Sequence, residues 1–187
     1  VLGCLQIQLE AHAPMPYKYS CHHLHFDLYY LNKVYRIGHF FYNGGGDSQD
    51  TANKVAAYSA RRGYPVQCIG IPKTVDNDLP FTDTCPGFGS VAKYVAVSTL
   101  EAGLDVASMA ASSTKVFVLE VMGRHAGWIA AASALAANQK SDPPHLVVLP
   151  EVPFDQPSFL KKVKATVARE GYCVIVASEG AQTAEGQ

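Results

Sequence analysis

The chain is poor in charge and lacks the cysteine patterns that stabilise small domains. Charged residues make up 17% of its 187 residues, the formal net charge is -1, and the 15 Lys and Arg residues form no stripe. A nucleic-acid-binding protein needs a basic patch, so we expect no nucleic-acid partner. The five cysteines are odd in number and form no C-x-x-C pair. This argues against a disulfide framework or a structural zinc site, and we expect a reducing, cytoplasmic location.

Long apolar runs are also missing. The first twenty residues contain neither a basic start with a continuous apolar core nor an apolar stretch of spanning length, so we expect no targeting segment and no membrane partner. Residues 1–31 follow neither a helical nor a strand period. We leave them unassigned and expect an irregular or non-family-like leader there. The clustered His22, His23 and His25 lack a convincing ligand geometry, so we expect no metal at them. The 48% hydrophobic content suits one large or two small globular domains.

From about Arg36 onward, short apolar runs alternate with longer helical patterns. The runs predict strands at residues 37–42, 66–71, 115–121, 145–149 and 172–177, and the patterns between them predict helices at residues 48–62, 89–111, 125–138 and 157–169. Apolar strands with intervening helices are typical of a parallel sheet covered on both faces, so we expect an α/β protein. Ligands of such sheets bind beyond the carboxyl ends of the strands. Polar motifs follow these ends at residues 44–48, 73–78, 122–124, Glu151 and Glu179.

The turn within residues 70–79 combines a lysine, a hydroxyl and two carboxylates directly after a predicted strand. Phosphoryl transfer requires a base for the attacking hydroxyl and positive charge for the phosphate. Asp76 could take the proton, Lys73 could face the phosphate, and Asp78 could hold a metal or orient the turn. The alternative is an ordinary surface turn, since Asp and Asn readily hydrogen-bond to their own backbone.

A glycine-rich loop joins the first predicted strand to its helix and is formed by Gly44, Gly45, Gly46, Asp47 and Ser48. Glycines allow phosphate oxygens to approach the backbone N–H groups, and a helix N-terminus adds favourable partial charge. Asp47 opposes anion binding unless a divalent cation or a lysine shares the site. The alternative is a flexible connection without a ligand.

The segment after the third predicted strand carries Gly123 and Arg124. Gly123 allows close backbone approach, and the guanidinium of Arg124 suits a bidentate contact to a phosphate. The alternative is a structural arginine that pairs with Glu120 or Glu151. We expect His125 and Trp128 to pack the start of the next helix.

The successive motifs GGGDS, PKTVDNDL, EVMGRHAG, PEVPF and VASEG closely resemble the phosphofructokinase family, specifically its pyrophosphate-dependent branch. The resemblance extends from Asn32 to the C-terminus. It implies a three-layer α/β/α fold with two Rossmann-like subdomains, incomplete at both ends. Residues 32–90 would belong to the phosphoryl-donor subdomain and residues 91–187 to the fructose 6-phosphate subdomain.

The resemblance also implies roles for individual residues. Asp76 matches the general base for the 1-hydroxyl of fructose 6-phosphate, and Glu179 matches a carboxylate that binds sugar hydroxyls. Lys115 matches a basic residue offered to a neighbouring subunit's site, which implies a homo-oligomer, a dimer or tetramer with shared sites. The remaining substrate-binding positions are Thr74, Val75, Met122, Gly123 and Arg124.

Two positions bear on the phosphoryl donor. ATP-using members resemble this chain but carry glycine at the position of Asp47 and usually at that of Lys73. An added carboxylate repels a longer polyphosphate, and an added ammonium stabilises the transferring group, so we expect pyrophosphate with Mg²⁺ and a reversible reaction. The family normally has Asp or Asn, in many members a magnesium ligand, at the position of Gly46. Asp47 or Asp78 would therefore take that role.

Two alternatives stay open. The chain could be an ATP-dependent phosphofructokinase that tolerates Asp47 and Lys73, or a non-catalytic sugar-phosphate-binding fragment or regulatory subunit. Family chains are longer at both ends, so we expect little or no activity from these 187 residues alone.

Overall fold

The computed structural model describes residues 21–139 and 141–186, with side chains from Leu28 onward. The histidines at positions 22, 23 and 25 therefore have side chains outside the described part. The chain forms two compact units that divide between Lys73 and Thr74. Val75 packs against the core of the second unit. The subdomain boundary that the resemblance implies after residue 90 stays a prediction.

The first unit contains two helices and a two-stranded parallel sheet. Helix α1 (Cys21–Val34) packs on α2 (Gly46–Arg61), which packs on strands β1 (His39–Gly44) and β2 (Gln67–Pro72). The expectation that residues 21–31 are irregular is wrong, since they belong to α1. The ring of Tyr29 meets that of Tyr58 on α2 edge to face at 5.4 Å. Tertiary packing of this kind stabilises a helix whose sequence has little periodicity.

The second unit is built on a three-stranded parallel sheet with strand order β3-β5-β4. Its elements are α3 (Phe88–Met109), β3 (Val116–Val121), α4 (Trp128–Ala132) with a 3₁₀ turn (Ser133–Ala136), β4 (Leu146–Val148), α5 (Gln156–Glu170) and β5 (Cys173–Ser178). The chain crosses from β3 to β4 through α4 and returns to β5 through α5. Because parallel crossovers are right-handed, these opposite directions assign α4 and α5 to opposite faces of the sheet.

Strand β5 lies in the middle of this sheet, and residues 173–176 are buried. Val176 forms the core with Val95 of α3 and Ile129 of α4. A strand buried on both faces reads as a continuous apolar run, which is why its sequence predicted it well. The parallel α/β architecture expected from the sequence is confirmed.

Helix 125–138 is the predicted element that the structure changes most. Residues 122–127 form a loop, α4 spans one turn and a half, and the chain then tightens into the 3₁₀ turn. The hydroxyl of Ser133 donates to the carbonyl of Ala130, a local bond that competes with regular helix geometry. Within residues 21–139 and 141–186, none of the helices combines the length and apolar character needed to cross a membrane.

Candidate active site

In the first unit, the glycine-rich loop joins β1 to α2. Gly45 is the N-cap of α2 in an extended conformation, and no side chain caps the helix there. Gly44 must lack a side chain because a Cβ would collide with the hydroxyl of Ser48. Asp47 lies exposed in the first turn of α2. The N–H groups of Ser48 and Gln49 donate to the Gly45 carbonyl over 3.1 Å, which leaves those of Gly46 and Asp47 for a ligand at this helix start.

Lys73 is tied to the same loop by its backbone. Its N–H donates to the carbonyl of Gly44 over 3.0 Å, which continues the β1–β2 ladder, and its side chain is exposed. The backbone of Gly45 also lies close, since a Cβ built on it would be 3.9 Å from the Lys73 carbonyl oxygen. The structure thus brings together two of the elements predicted to handle the phosphoryl donor.

In the second unit, Asp76 sits in a tight turn. Its backbone N–H donates to Oγ1 of Thr74 over 3.2 Å, and its buried Oδ1 has no hydrogen-bond partner among the described residues. Burial raises the pKa of the Asp76 carboxyl above its ordinary value of 3.8. A half-buried carboxylate with an unused oxygen is suited to accept a proton from a bound hydroxyl.

Neighbouring side chains shift the pKa of Asp76 in both directions. Burial is the largest cause of the raised pKa, and the nearby carboxylates of Asp78 and Glu179 raise it further, while the Thr74 hydroxyl and the Arg124 guanidinium lower it. Residues from the turn, from the loop after β3 and from the end of β5 therefore share one electrostatic environment. The structure brings these predicted site residues together within the second unit.

Asn77 is a site residue whose importance the sequence analysis missed. It is buried with a positive φ of 59°. Its Oδ1 accepts from the Cys85 N–H over 2.8 Å, and its Nδ2 donates to the Asp83 carbonyl over 3.3 Å. These bonds fix the backbone between Asp76 and Asp78. The available signal was an Asn between two Asp residues in a turn, because Asn tolerates the left-handed conformation.

The loop of residues 122–127, here called the Arg124 loop, is held by the end of β5. Gly123 has φ of 126° and donates its N–H to Oε1 of Glu179 over 3.2 Å, while its carbonyl accepts from the hydroxyl of Ser178. A Cβ on Gly180 would collide with the carbonyl of Arg124. The backbone around Arg124 is therefore closely packed, although its side chain is exposed.

Arg124 adopts neither of the structural pairings that the sequence allowed. Among the described residues the ion pairs within 4.0 Å are Lys54 with Asp50 and Arg169 with Glu170. Glu151 instead accepts the Gly127 N–H. The guanidinium is thus available for an anionic ligand, and Met122 beside it is exposed. His125 is also exposed, and Trp128 is 55% exposed, so their expected packing at the start of α4 leaves much of each side chain in solvent.

Two predicted substrate residues lie elsewhere. Lys115 precedes β3, at the opposite end of that strand from Arg124, and its Nζ donates to the Ala110 carbonyl over 2.9 Å. Val75 directs its side chain into the core and can offer a ligand only its backbone. The described residues contain no group of three or more His, Cys, Asp or Glu that could hold a metal ion.

A parallel α/β fold with an available arginine and a half-buried carboxylate beyond its strand ends has these groups where such sheets bind ligands. A family model described as phosphofructokinase matches residues 27–187. The chain belongs to the phosphofructokinase family, and the family match starts five residues before the resemblance we placed at Asn32.

Several relatives share the name pyrophosphate–fructose 6-phosphate 1-phosphotransferase. The protein from Halomonas elongata is 63% identical over 154 residues, covering 82% of this chain and 37% of its own length. That from Xanthomonas campestris is 59% identical over 155 residues, covering 83% and 37%. An ATP-dependent 6-phosphofructokinase from Amycolatopsis methanolica is 38% identical over 148 residues, covering 75% and 30%. The chain spans little more than a third of the length of these first two relatives.

A solved structure supports the same assignment. The pyrophosphate-dependent phosphofructokinase from Marinobacter aquaeolei matches with a TM-score of 0.73 and 63% identity, covering 85% of this chain and 41% of that one. The expected phosphofructokinase-like α/β fold is thereby confirmed.

Proposed function

We propose that this chain belongs to an enzyme that transfers a phosphoryl group from pyrophosphate to the 1-hydroxyl of fructose 6-phosphate. The observation that carries the proposal is the Asp76 carboxyl, half-buried, with a raised pKa and an unused Oδ1. Asp76 takes the proton as the sugar oxygen attacks the phosphorus of pyrophosphate. The O–P bond to fructose forms, the bridging P–O bond breaks, and phosphate leaves with its electron pair. The products are fructose 1,6-bisphosphate and phosphate, and the reaction runs in both directions.

The sugar phosphate binds at the Arg124 loop in this proposal. Arg124 lacks an ion-pair partner among the described side chains, so its guanidinium can bind the 6-phosphate as a fork. Glu179 binds sugar hydroxyls and Thr74 contacts the substrate at the Asp76 turn. Lys115 lies at the other end of β3, which supports the proposal that it serves a second subunit of a homo-oligomer.

Pyrophosphate is favoured as the donor because the sequence has both Asp47 and Lys73. Both side chains are exposed in the first unit, at the elements that carry the glycine-rich loop. Lys73 stabilises the transferring phosphoryl group, and Asp47 opposes a longer polyphosphate. Relatives named for pyrophosphate reach 63% identity, whereas the ATP-dependent one cited above reaches 38%.

A Mg²⁺ ion at the donor site would be held jointly by protein carboxylates and by the phosphates of the substrate. Mg²⁺ is usually held by one or two carboxylates together with substrate phosphates and water, so a complete protein cage is not required. Asp47, exposed at the glycine-rich loop, or Asp78, exposed in the Asp76 turn, would contribute a carboxylate. The bound ion would neutralise charge on the pyrophosphate oxygens. The cytoplasmic location stays a prediction from composition.

A graft tests the proposed function. Residues 27–187 replace the matching segment of the Halomonas elongata relative, and fructose 1,6-bisphosphate formation is measured with pyrophosphate and with ATP. We expect turnover with pyrophosphate that falls about a hundredfold or more in Asp76→Asn and is unchanged in Asp105→Asn, an exposed residue on α3. Turnover with ATP alone would favour the ATP-dependent alternative. Binding of fructose 6-phosphate without turnover would favour a non-catalytic role.

A further inference from the structure

We propose that Glu151 is a positioning residue: its carboxylate fixes the Gly127 end of the Arg124 loop and thereby holds Arg124 in place for the sugar phosphate. The effect on ligand affinity rests on the proposed function. The geometric part, that Glu151 orders the loop, stands independently of it.

The contact joins elements that are distant in sequence. Glu151 follows the end of β4, and its Oε1 accepts the backbone N–H of Gly127 over 2.8 Å. Gly127 precedes α4, which is reached from β3, whereas β4 lies on the other side of β5 in the sheet. The carboxylate therefore links the loop of one outer strand to the loop of the other.

Gly127 depends on this bond. The residue is buried, and a buried N–H without a partner is costly. A Cβ on Gly127 would lie 2.7 Å from Cδ2 of Leu149 and 2.8 Å from Oε2 of Glu151. The absence of a side chain is thus what allows the carboxylate to reach the amide.

The Arg124 loop is consequently anchored at both ends by a glutamate. Glu179 accepts the N–H of Gly123, and Glu151 accepts that of Gly127. Beyond Gly127, α4 is fixed in the core, since Ile129 and Ala130 are 1% and 0% exposed. Three residues remain between the anchors, with Arg124 first among them. Release of one anchor would let the backbone of Arg124 move away from Gly180, which it contacts closely.

Substitutions of Glu151 can show whether the loop needs its hydrogen-bond acceptor or its negative charge. Glu151 pairs with no described cation within 4.0 Å, so its role at the loop is to accept a hydrogen bond. A glutamine has an oxygen at the same reach and can accept the same N–H, whereas alanine cannot. Aspartate is shorter by one methylene and should reach the amide poorly while keeping the charge.

The test uses the 187-residue chain with Glu151→Ala, Glu151→Gln and the surface control Glu101→Ala. Amide exchange of Gly127, amide shifts of Gly123 and Arg124, and calorimetric titration of fructose 6-phosphate are measured. We expect Glu151→Ala to speed Gly127 exchange and to weaken fructose 6-phosphate binding, each about tenfold, the worth of one buried hydrogen bond. Glu151→Gln and the control should stay near wild type.

The outcomes separate the two proposals. If the wild-type chain does not bind fructose 6-phosphate, the titration is repeated in the Halomonas elongata graft, where a failure to bind would contradict the proposed function. The amide data decide the role of Glu151 in either case. Unchanged exchange and unchanged Gly123 and Arg124 shifts in Glu151→Ala would overturn the positioning role. If folded Glu151→Ala is less stable but binds fructose 6-phosphate with wild-type affinity, Glu151 has only a structural role, and the positioning role is also overturned. If Glu151→Ala does not fold, Glu151→Asp replaces it with the same expected directions.

Discussion

Gly123 donates its backbone N–H to Oε1 of Glu179 over 3.2 Å. The same carboxylate raises the pKa of Asp76, so one side chain at the end of β5 acts on the Arg124 loop and on the Asp76 turn. The expected role of Glu179 in binding sugar hydroxyls is therefore combined with a structural contact. Because Gly123 is buried with φ of 126°, few other residues could present their amide in this way.

Replacement of Glu179 should separate these two roles. Glu179→Ala removes the acceptor for the Gly123 amide, so we expect its hydrogen exchange, measured by NMR, to accelerate about tenfold. Glu179→Gln should keep the exchange rate near wild type because its amide oxygen can still accept the bond. Equal exchange rates in both variants and the wild type would contradict the importance of this contact.

Loss of the Asn77 side chain should destabilise the Asp76 turn. Asn77→Ala removes the acceptor of the buried Cys85 N–H and places an alanine at φ of 59°. We expect a loss of about 2–4 kcal/mol in the free energy of unfolding by urea. Asn77→Gly removes the same bonds but tolerates the φ, so its loss should be smaller. A glycine variant less stable than the alanine variant would show that backbone strain is not a factor.

The pKa of Asp76 should respond to its neighbours in opposite directions. Asp78→Asn removes a carboxylate that raises this pKa and should lower it, whereas Arg124→Gln removes a cation and should raise it. NMR titration of the Asp76 carboxyl measures both shifts, with Asp105→Asn as the control. Since burial is the largest cause, the pKa should stay above 3.8 in Asp78→Asn. A pKa that is the same in all variants would contradict the shared electrostatic environment.

The raised pKa of Asp76 also has a consequence for stability. The folded chain binds this proton more tightly than the unfolded chain, so protonated Asp76 favours folding. The contribution is present below 3.8 and is lost as pH rises through the higher pKa of the folded state. As pH rises from 3.8 through the higher folded-state pKa, the free energy of unfolding should therefore decrease less in Asp76→Asn than in the wild type.

His145 should make the second unit sensitive to mild acid. Its backbone N–H donates to the Val174 carbonyl, and its Nδ1 accepts the Val174 N–H, both over 2.9 Å. Burial lowers the pKa of His145 below 6.5, with Glu170 and Arg169 acting in opposite directions and the ring of Tyr172 packed edge to face against it. A protonated Nδ1 cannot accept a hydrogen bond.

Because the unfolded chain binds this proton more readily, the free energy of unfolding should fall as pH drops below 6.5, by about 1 kcal/mol for the lost bond. Urea unfolding between mild acid and neutral pH measures the slope. His145→Asn, whose Oδ1 can accept the Val174 N–H, should reduce the slope, whereas the exposed His39→Asn should not. An unchanged slope in His145→Asn would assign the pH dependence to other groups.

Local patterns account for most of the fold. The apolar run of β5 and the amphipathic pattern of α5 were predicted to within one residue at each end, because burial and turn chemistry in those segments are decided by neighbouring residues. Helix α1 was missed because its stability comes from aromatic contacts such as Tyr29 with Tyr58 rather than from its own period. The helix after Gly127 was predicted too long because Ser133 bonds back to Ala130.

The sequence by itself determined the parallel α/β class, the placement of polar motifs after strands and membership of the phosphofructokinase family, since these depend on residue order alone. Only the tertiary structure decided that Arg124 is unpaired among the described residues, that Asn77 fixes the Asp76 turn, and that Glu151 accepts the amide of Gly127. The physical reason is that a hydrogen bond requires two groups within about 3 Å. For residues such as Glu151 and Gly127, 24 positions apart, that distance is set by how strands and helices pack.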